Sequence, residues 1–309
     1  MNSLVGYLIP PYPWSGIVVG VSDKAVSILH PDTALVSIVR EPAFMEARAL
    51  MPKIGWQDFA RSADRALEAP APGGTTASWD GTFLALRSGA ALCFSESLSW
   101  NPKLSLAQAA ARLASSAVSS AESASALIGA TILQAHADGR PALGIYGDGP
   151  FASGFRRLAG YTSFPANLVG FGTGLTPAGD DWLAGFLVAA DLVSGGPGIA
   201  TDYIRRSIRA SLDRTTAAGR SLLLGALDGS PPAYLVELAV KTADLAVPGE
   251  EPLGHDAKEH LRMSVTAALK HGATSGEDAL LGFIAGLHTG VPLAFNRSLN
   301  TFTSVVEVL

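Results

Sequence analysis

The sequence predicts an α+β protein. A β-rich N-terminal part (barrel-like or a small sheet, residues 1–102) is followed by a mainly α-helical C-terminal part (residues 103–309). Three observations carry this. Short β-branched runs separated by turn residues crowd the first hundred positions. Apolar residues at spacings of three and four dominate the remainder. Strand and helix signals do not alternate along the chain, which sets aside a parallel α/β sheet.

In the first part, residues 16–21, 25–29 and 34–39 read as strands, divided by Ser22-Asp23-Lys24 and His30-Pro31-Asp32. Residues 43–49 and 56–67 break the pattern and read as helix. The stretch 69–75, Ala-Pro-Ala-Pro-Gly-Gly-Thr, is a loop by composition. Strand character returns at 82–86 and 90–94.

In the second part, 104–137 carries an Ala- and Ser-rich helical stripe, which lets neighbouring helices approach closely. Further helices are expected at 151–160, 177–193, 199–227, 233–246, 255–270 and 275–288. Gly and Pro punctuate the junctions at 195–198, 229–232 and 248–250. The tail, 301–309, is a β-type run expected to return to the N-terminal sheet.

Composition excludes several classes. Charged residues make up 16% of the 309 positions and hydrophobic residues 48%, so the chain is not intrinsically disordered. Its 33 glycines and 19 prolines show no Gly-X-Y period. A net charge of −5 opposes a nucleic-acid or anionic-membrane partner. A single cysteine, Cys93, suits a reducing compartment and makes no Cys-based zinc site. Mean hydropathy of +0.28 is high. Yet the longest central apolar stretch, 182–193, contains Asp191 and falls short of the roughly 20 residues a bilayer span needs. Residues 1–13 lack the basic start of a signal peptide. The expectation is a soluble, cytoplasmic protein.

The densest segment is Gly170-Phe-Gly-Thr-Gly-Leu-Thr-Pro-Ala-Gly-Asp-Asp-Trp. Glycines at 170, 172 and 174 permit a curled backbone whose N–H groups cradle an anion. Thr176 and Pro177 then read as helix N-cap and first helical residue, and a glycine loop feeding a helix N-terminus favours a phosphate or carboxylate. Asp180 and Asp181, one turn in, fit a bare anion badly. They make sense if Mg²⁺ bridges them, or if they hold an amine or amide. Trp182 reads as core.

A second passage echoes the first: Gly276, Glu277, Asp278, Gly282 and Phe283 align with Gly179, Asp180, Asp181, Gly185 and Phe186. Thr274 and Glu277 also form a capping-box pattern. Gly185 and Gly282 lie inside helices, where glycine costs about 1 kcal/mol relative to alanine. The cost is tolerated where two helices touch, so the two helices are expected to pair through these glycines and bring both N-termini to one pocket.

These motifs, Gly172-x-Gly-Leu-Thr-Pro-Ala-Gly-Asp-Asp and Thr274-Ser-Gly-x-Asp278, resemble the AllH family over about residues 168–290. Members usually read Gly-Leu-Gly-Pro-Gly-Leu-Thr-Pro-Ser-Gly-Asp-Asp and, later, Gly-His-Thr-Ser-Gly-x-Asp. This chain departs at Thr173, Ala178 and Ala273, the last in place of a common His, although His271 lies two residues away. The resemblance implies an association with oxamate carbamoyltransferase. That multi-subunit enzyme of allantoin breakdown moves a carbamoyl group between oxalurate and phosphate, giving oxamate and carbamoyl phosphate. Small anionic amides suit a glycine nest beside carboxylates.

Nucleotide and hydrolase motifs fit less well. No Gly-Lys dipeptide and no G-x-S-x-G occur. Residues 147–152 match G-x-G-x-x-A without the acid that should follow. The six histidines, His30, His136, His255, His260, His271 and His288, show no metal spacing and read as surface residues. Arg156, Arg157, Arg220 and Lys270 read as solvated helix residues that could supply a cation.

The expectation is therefore a carbamoyltransferase-type subunit acting on a small anionic amide or carbamoyl compound. Asp180, Asp181 and Asp278 are the candidate catalytic acids, with Asp180 and Asp181 also candidate Mg²⁺ ligands. Gly172, Thr173, Gly174, Thr176, Gly179, Thr274, Ser275 and Gly276 are the candidate substrate-binding residues. Partner subunits or homo-oligomers are expected. The alternatives are a non-catalytic assembly subunit and a small-molecule sensor.

Overall fold

In the computed structural model the described residues are 2–68, 74–114, 119–145, 150–159, 164–197, 199–246 and 251–288. The chain divides into two compact units, Met1–Asn101 and Pro102–Leu309. The expected α+β architecture is present: a curled, half-barrel sheet of nine strands, then a helical region.

The sheet is built from β1 (Leu4–Gly6), β2 (Trp14–Val21), β3 (Ala25–Leu29), β4 (Leu35–Val39), β5 (Ala49–Met51), β6 (Thr76–Trp79), β7 (Phe83–Leu86), β8 (Ala91–Cys93) and β9 (Leu98–Trp100). Its order is β8-β7-β6-β2-β3-β4-β5-β1-β9, with β4–β5 and β1–β9 parallel and the other pairs antiparallel. Alternation makes β2 two-faced. Trp14 and Val18 are buried while Ile17 and Val19 are exposed. Helix α1 (Trp56–Glu68) lays Phe59 and Ala63 on the inner face. Each large apolar side chain buried this way contributes roughly 1.5–3 kcal/mol.

Residues 43–49 are not the expected helix. Pro42–Phe44 form one 3₁₀ turn, and Ala49–Met51 form β5, buried between β4 and β1. The helix-forming tendency of Ala, Glu and Met yields here to sheet pairing on both sides.

The second unit contains α2 (Lys103–Ala114), α3 (Ser119–Ala137), α4 (Pro150–Ala159), α5 (Phe164–Leu168), α6 (Ala178–Val193), α7 (Ile199–Arg209), α8 (Ala217–Leu227), α9 (Ala233–Asp244), α10 (Glu251–Ala268) and α11 (Ser275–Leu287). The single helix expected at 199–227 is two, joined by a 3₁₀ turn at Leu212–Arg214. Thr216 causes the restart: it caps α8 by accepting the Gly219 N–H at 2.9 Å. No described helix is long and apolar enough to cross a membrane. The tail at 301–309, most of the loop at 69–75, residues 146–149 of the Gly147 motif and the junction at 247–250 lie outside the described residues.

Two helices form the centre of this unit. All of α6 from Ala178 to Ala190 and all of α11 from Gly276 to Leu287 is buried, as expected for helices apolar on every side. They run in the same direction. Thr176 meets Ser275 at one end, Gly185 lies against Ala279 and Phe283 midway, and Gly286 lies against Phe186 and Ala190 further on. A β-carbon at Gly185 would overlap the Ala279 carbonyl, and one at Gly282 would overlap the Trp182 carbonyl. The pairing expected from the two glycines is present, and it is reciprocal. Trp182 is core, 1% exposed, stacked on Phe186 with ring centroids 5.2 Å apart.

Candidate functional site

The glycine loop precedes α6. Gly170, Gly172 and Gly174 adopt φ of 73°, 122° and 102°, the region glycine alone enters freely. Thr173, Gly174 and Leu175 are exposed, while Thr176 is half-buried. Pro177, not Thr176, occupies the N-cap position, and no side chain caps the helix. Freed from capping, the Thr176 hydroxyl crosses to Ser275, Oγ1 to Oγ at 3.0 Å. A one-residue shift in the helix start thus converts an expected cap into a bridge between helices.

The second expected cap also goes elsewhere. Thr274 holds the N-cap position of α11 without a side-chain cap bond, and its hydroxyl supports the Asp278 carboxylate instead. Glu277 does not fold back to the N-cap. Its Oε1 accepts from His136 Nε2 at 3.2 Å and its Oε2 from Arg140 Nε at 3.1 Å. Arg140 also donates to the Ala273 carbonyl at 3.0 Å. The end of α3 is thereby tied to the start of α11.

Consecutive helical residues diverge by about 100°, and this separates the paired acids. Asp180 turns outward. Its Oδ1 accepts the Gly170 N–H at 2.8 Å, and its Oδ2 accepts the Thr215 hydroxyl. Gly219 makes the room, since a β-carbon there would overlap the carboxylate. Burial pushes the Asp180 pKa up to about 6, against those two hydrogen bonds. Asp180 and Glu277 therefore hold matched structural positions, each fastening a helix start to a neighbouring segment.

Asp181 and Asp278 are the other buried pair. Asp181 is 2% exposed and Asp278 fully buried. Burial raises both carboxyls, Asp181 well above its ordinary range and Asp278 to about 7. The charge of Asp278 raises Asp181 further. Asp278 Oδ1 accepts the Ile145 N–H at 2.8 Å, and Gly144 leaves the space for that carboxylate. The Oδ2 atoms of Asp181 and Asp278 are both buried and have no hydrogen-bond partner among the described residues. Unpaired buried acceptors of this kind cost about 1–3 kcal/mol each.

The candidates therefore divide. Asp181, Asp278, Thr176, Thr274 and Ser275 come together, with the exposed loop of Gly172, Thr173 and Gly174 leading to them. Gly179 and Gly276 are packing residues: a β-carbon at either would overlap a backbone carbonyl, Leu168 and Ala268 respectively. Asp180 has both oxygens engaged, so Asp181 and Asp278 are the two acids that retain an open oxygen. No group of three or more His, Cys, Asp or Glu residues suited to a metal occurs among the described residues. With both Asp180 oxygens engaged, the set does not fit the Asp180–Asp181 bridge expected for Mg²⁺.

Reading by residue type missed His136, Arg140, Ile145 and Thr215. Arg140 and His136 lie far from Glu277 in sequence, and Ile145 acts through its backbone, so composition gives no signal for them. Thr215 lay inside the run expected as one helix, 199–227, so nothing marked it as a partner of Asp180. The histidines are also not uniformly superficial. His30 is buried, His136 bonds Glu277, His271 stacks on Tyr234 and His288 Nε2 lies 2.9 Å from Ser125 Oγ; only His255 and His260 are exposed. Of the candidate cations, Lys270 lies on a groove of about 650 Å³ between α3 and α10. An apolar cavity of about 370 Å³ sits at the C-terminal end of α6. Neither hollow is lined by the acids, which are closed off beneath Thr176 and Ser275.

Residues 168–287 match the family model described as oxamate carbamoyltransferase subunit AllH. The AllH resemblance holds over this stretch. No curated protein and no solved structure matches the chain. The AllH match begins at the residue whose carbonyl abuts Gly179 and ends with the last residue of α11. It therefore spans both matched helix starts.

Proposed function

We propose that the chain is an AllH-like subunit of a carbamoyltransferase-type enzyme, and that it binds a small anionic amide or carbamoyl compound where α6 and α11 begin. One observation carries the reading: two buried carboxyl groups from matched positions each keep an unpartnered oxygen at helix starts that follow a glycine loop and meet through Thr176 and Ser275. Buried polar groups are normally satisfied, and their exceptions concentrate at sites of ligand binding or catalysis. The family description supports the choice of oxamate, oxalurate or carbamoyl phosphate as ligands.

In this reading the loop of Gly172, Thr173 and Gly174 takes the anionic end, aided by the positive end of the α6 dipole. Thr176, Ser275 and Thr274 orient the carbonyl portion. Carbamoyl transfer from oxalurate breaks the bond between the carbamoyl carbon and the amide nitrogen as a phosphate oxygen bonds to that carbon. The departing nitrogen must gain a proton to leave as the –NH₂ of oxamate. Asp181, whose carboxyl burial raises well above its ordinary range, serves in this reading as the donor, and Asp278 as the carboxylate that receives a proton from phosphate. Asp180 and Glu277 position the helix starts.

Isothermal titration of the full chain with oxamate tests this. Asp181→Asn should abolish binding and leave the melting temperature within a few degrees of wild type. A loss of binding and stability together would make Asp181 structural. Binding by every variant without turnover in the assembled enzyme would favour a sensing or assembly role.

A further inference from the structure

We infer that the cavity at the far end of α6 is a second binding site, and that it takes a small aliphatic primary ammonium ion. The site stands independently of the carbamoyl reading. Asp191, on its wall, follows Asp181 by ten residues, about 15 Å along the helix at 1.5 Å per residue.

The cavity holds about 370 Å³, which suits a small molecule. Sites of this size combine an apolar shell with a few polar groups that fix the ligand's orientation. One face of α2 supplies Lys103, Leu106 and Ala110, at helical spacings of three and four. Val188 and Leu192 come from the last turns of α6, and Ala226 from the last turn of α8. No aromatic or hydroxyl side chain lines it among the described residues. The body of a fitting ligand is therefore aliphatic. A quaternary ammonium, which aromatic cages recognise, is not matched here.

Three charged side chains line the cavity: Lys103, Asp191 and Asp228. Asp191 is committed to Arg205, and both partners are largely buried. Asp228 and Lys103 form a looser pair. Oδ2 and Nζ lie 2.8 Å apart, with side chains 39% and 44% exposed. Yet Oδ2 is itself buried and takes no aligned hydrogen bond. Such exposed pairs contribute little and open readily. Lys103 thus holds the place of a ligand's ammonium, and its long stem lets it swing into solvent when one arrives. The helix ends favour the same charge. α6 and α8 finish here, at Val193 and Leu227, while α2 starts here, so one negative helix end is left over. A carboxylate would meet two acids and that helix end. An ammonium N–H gives Asp228 Oδ2 the charge-assisted bond it lacks.

Isothermal titration of the full-length chain with hexylamine, protonated at neutral pH, tests this against hexanoate, an anion of equal chain length. Hexylamine should bind saturably, at least about tenfold more tightly than hexanoate, the value of one hydrogen bond to a charged acceptor. Lys103→Met removes the resident cation and should tighten hexylamine binding severalfold, whereas Asp228→Asn should weaken it about tenfold. Ala107→Trp, at an exposed position on the cavity wall, should block it. Equal affinity for hexylamine and hexanoate, or no binding of hexylamine, would overturn the inference. So would unchanged binding in Ala107→Trp, weaker binding in Lys103→Met, or displacement of hexylamine by oxamate. The first comparison uses only wild-type protein, so it does not depend on how a variant folds. Its failure would leave the carbamoyl reading untouched.

Discussion

Gly185 and Gly282 occupy reciprocal positions in one seam: each lies where a β-carbon would overlap a main-chain carbonyl of the other's helix, Ala279 for Gly185 and Trp182 for Gly282. Alanine in an exposed helix normally stabilises by about 1 kcal/mol relative to glycine. Here the sign reverses. Gly185→Ala and Gly282→Ala should each destabilise by about 2–3 kcal/mol, as overpacking against rigid backbone does. Urea denaturation followed by circular dichroism measures this, and a stabilised variant would refute the close seam.

The buried acids make stability depend on pH. Asp180 and Asp278 are raised from the ordinary 3.8 to about 6 and about 7. The folded chain therefore binds more protons than the unfolded one, and their stabilising effect is complete only below about 4. It is lost as pH rises through the folded values. The melting temperature should fall between pH 5 and pH 8, and Asp278→Asn should flatten that fall. An unchanged slope in the variant would show that Asp278 is ionised throughout.

Arg140 and Arg262 offer a controlled contrast. Arg140 pairs with Glu277, which is 1% exposed, whereas Arg262 pairs with the exposed Glu259 at 3.3 Å. Removing one partner of a buried pair typically costs about 3–5 kcal/mol, and a surface pair about 0–1 kcal/mol. Because Arg140 is itself partly exposed and His136 remains, Arg140→Met should cost about 2 kcal/mol and Arg262→Met almost nothing. Thermal melts of the two variants decide it; equal shifts would mean that Glu277 does not anchor α11.

Gly144 tests the placement of Asp278 without touching any ligand. A β-carbon at this buried position would overlap the Asp278 carboxylate. Gly144→Ala should weaken oxamate binding by about tenfold, one hydrogen bond's worth, at an overpacking cost of about 1–3 kcal/mol in stability. Full retention of binding would separate Asp278 from the site.

Much of this arrangement was legible in the residues. Matched Gly-acid runs and interior glycines pointed to paired helices, and the β-branched runs to a sheet. Which acids would meet was not legible, because adjacent residues such as Asp180 and Asp181 point in different directions once helical, and their partners come from distant segments. The caps were misread for a related reason. Thr176 and Thr274 have the chemistry of N-caps, but a one-residue change in helix start, and a neighbouring helix start within reach, redirect them to Ser275 and Asp278. At 43–49 local propensity favoured helix, but the segment is a 3₁₀ turn and an irregular stretch leading into β5, which pairing with β4 and β1 fixes as strand.

The central claim is that a small anionic amide binds where α6 and α11 begin, beside Asp181 and Asp278. A crystal structure of the protein with oxamate measures it directly. The account predicts oxamate beside Asp181 and Asp278, with its carboxylate on the loop of Gly172–Gly174. Oxamate bound with its carboxylate between the acids, or bound away from them, would contradict it.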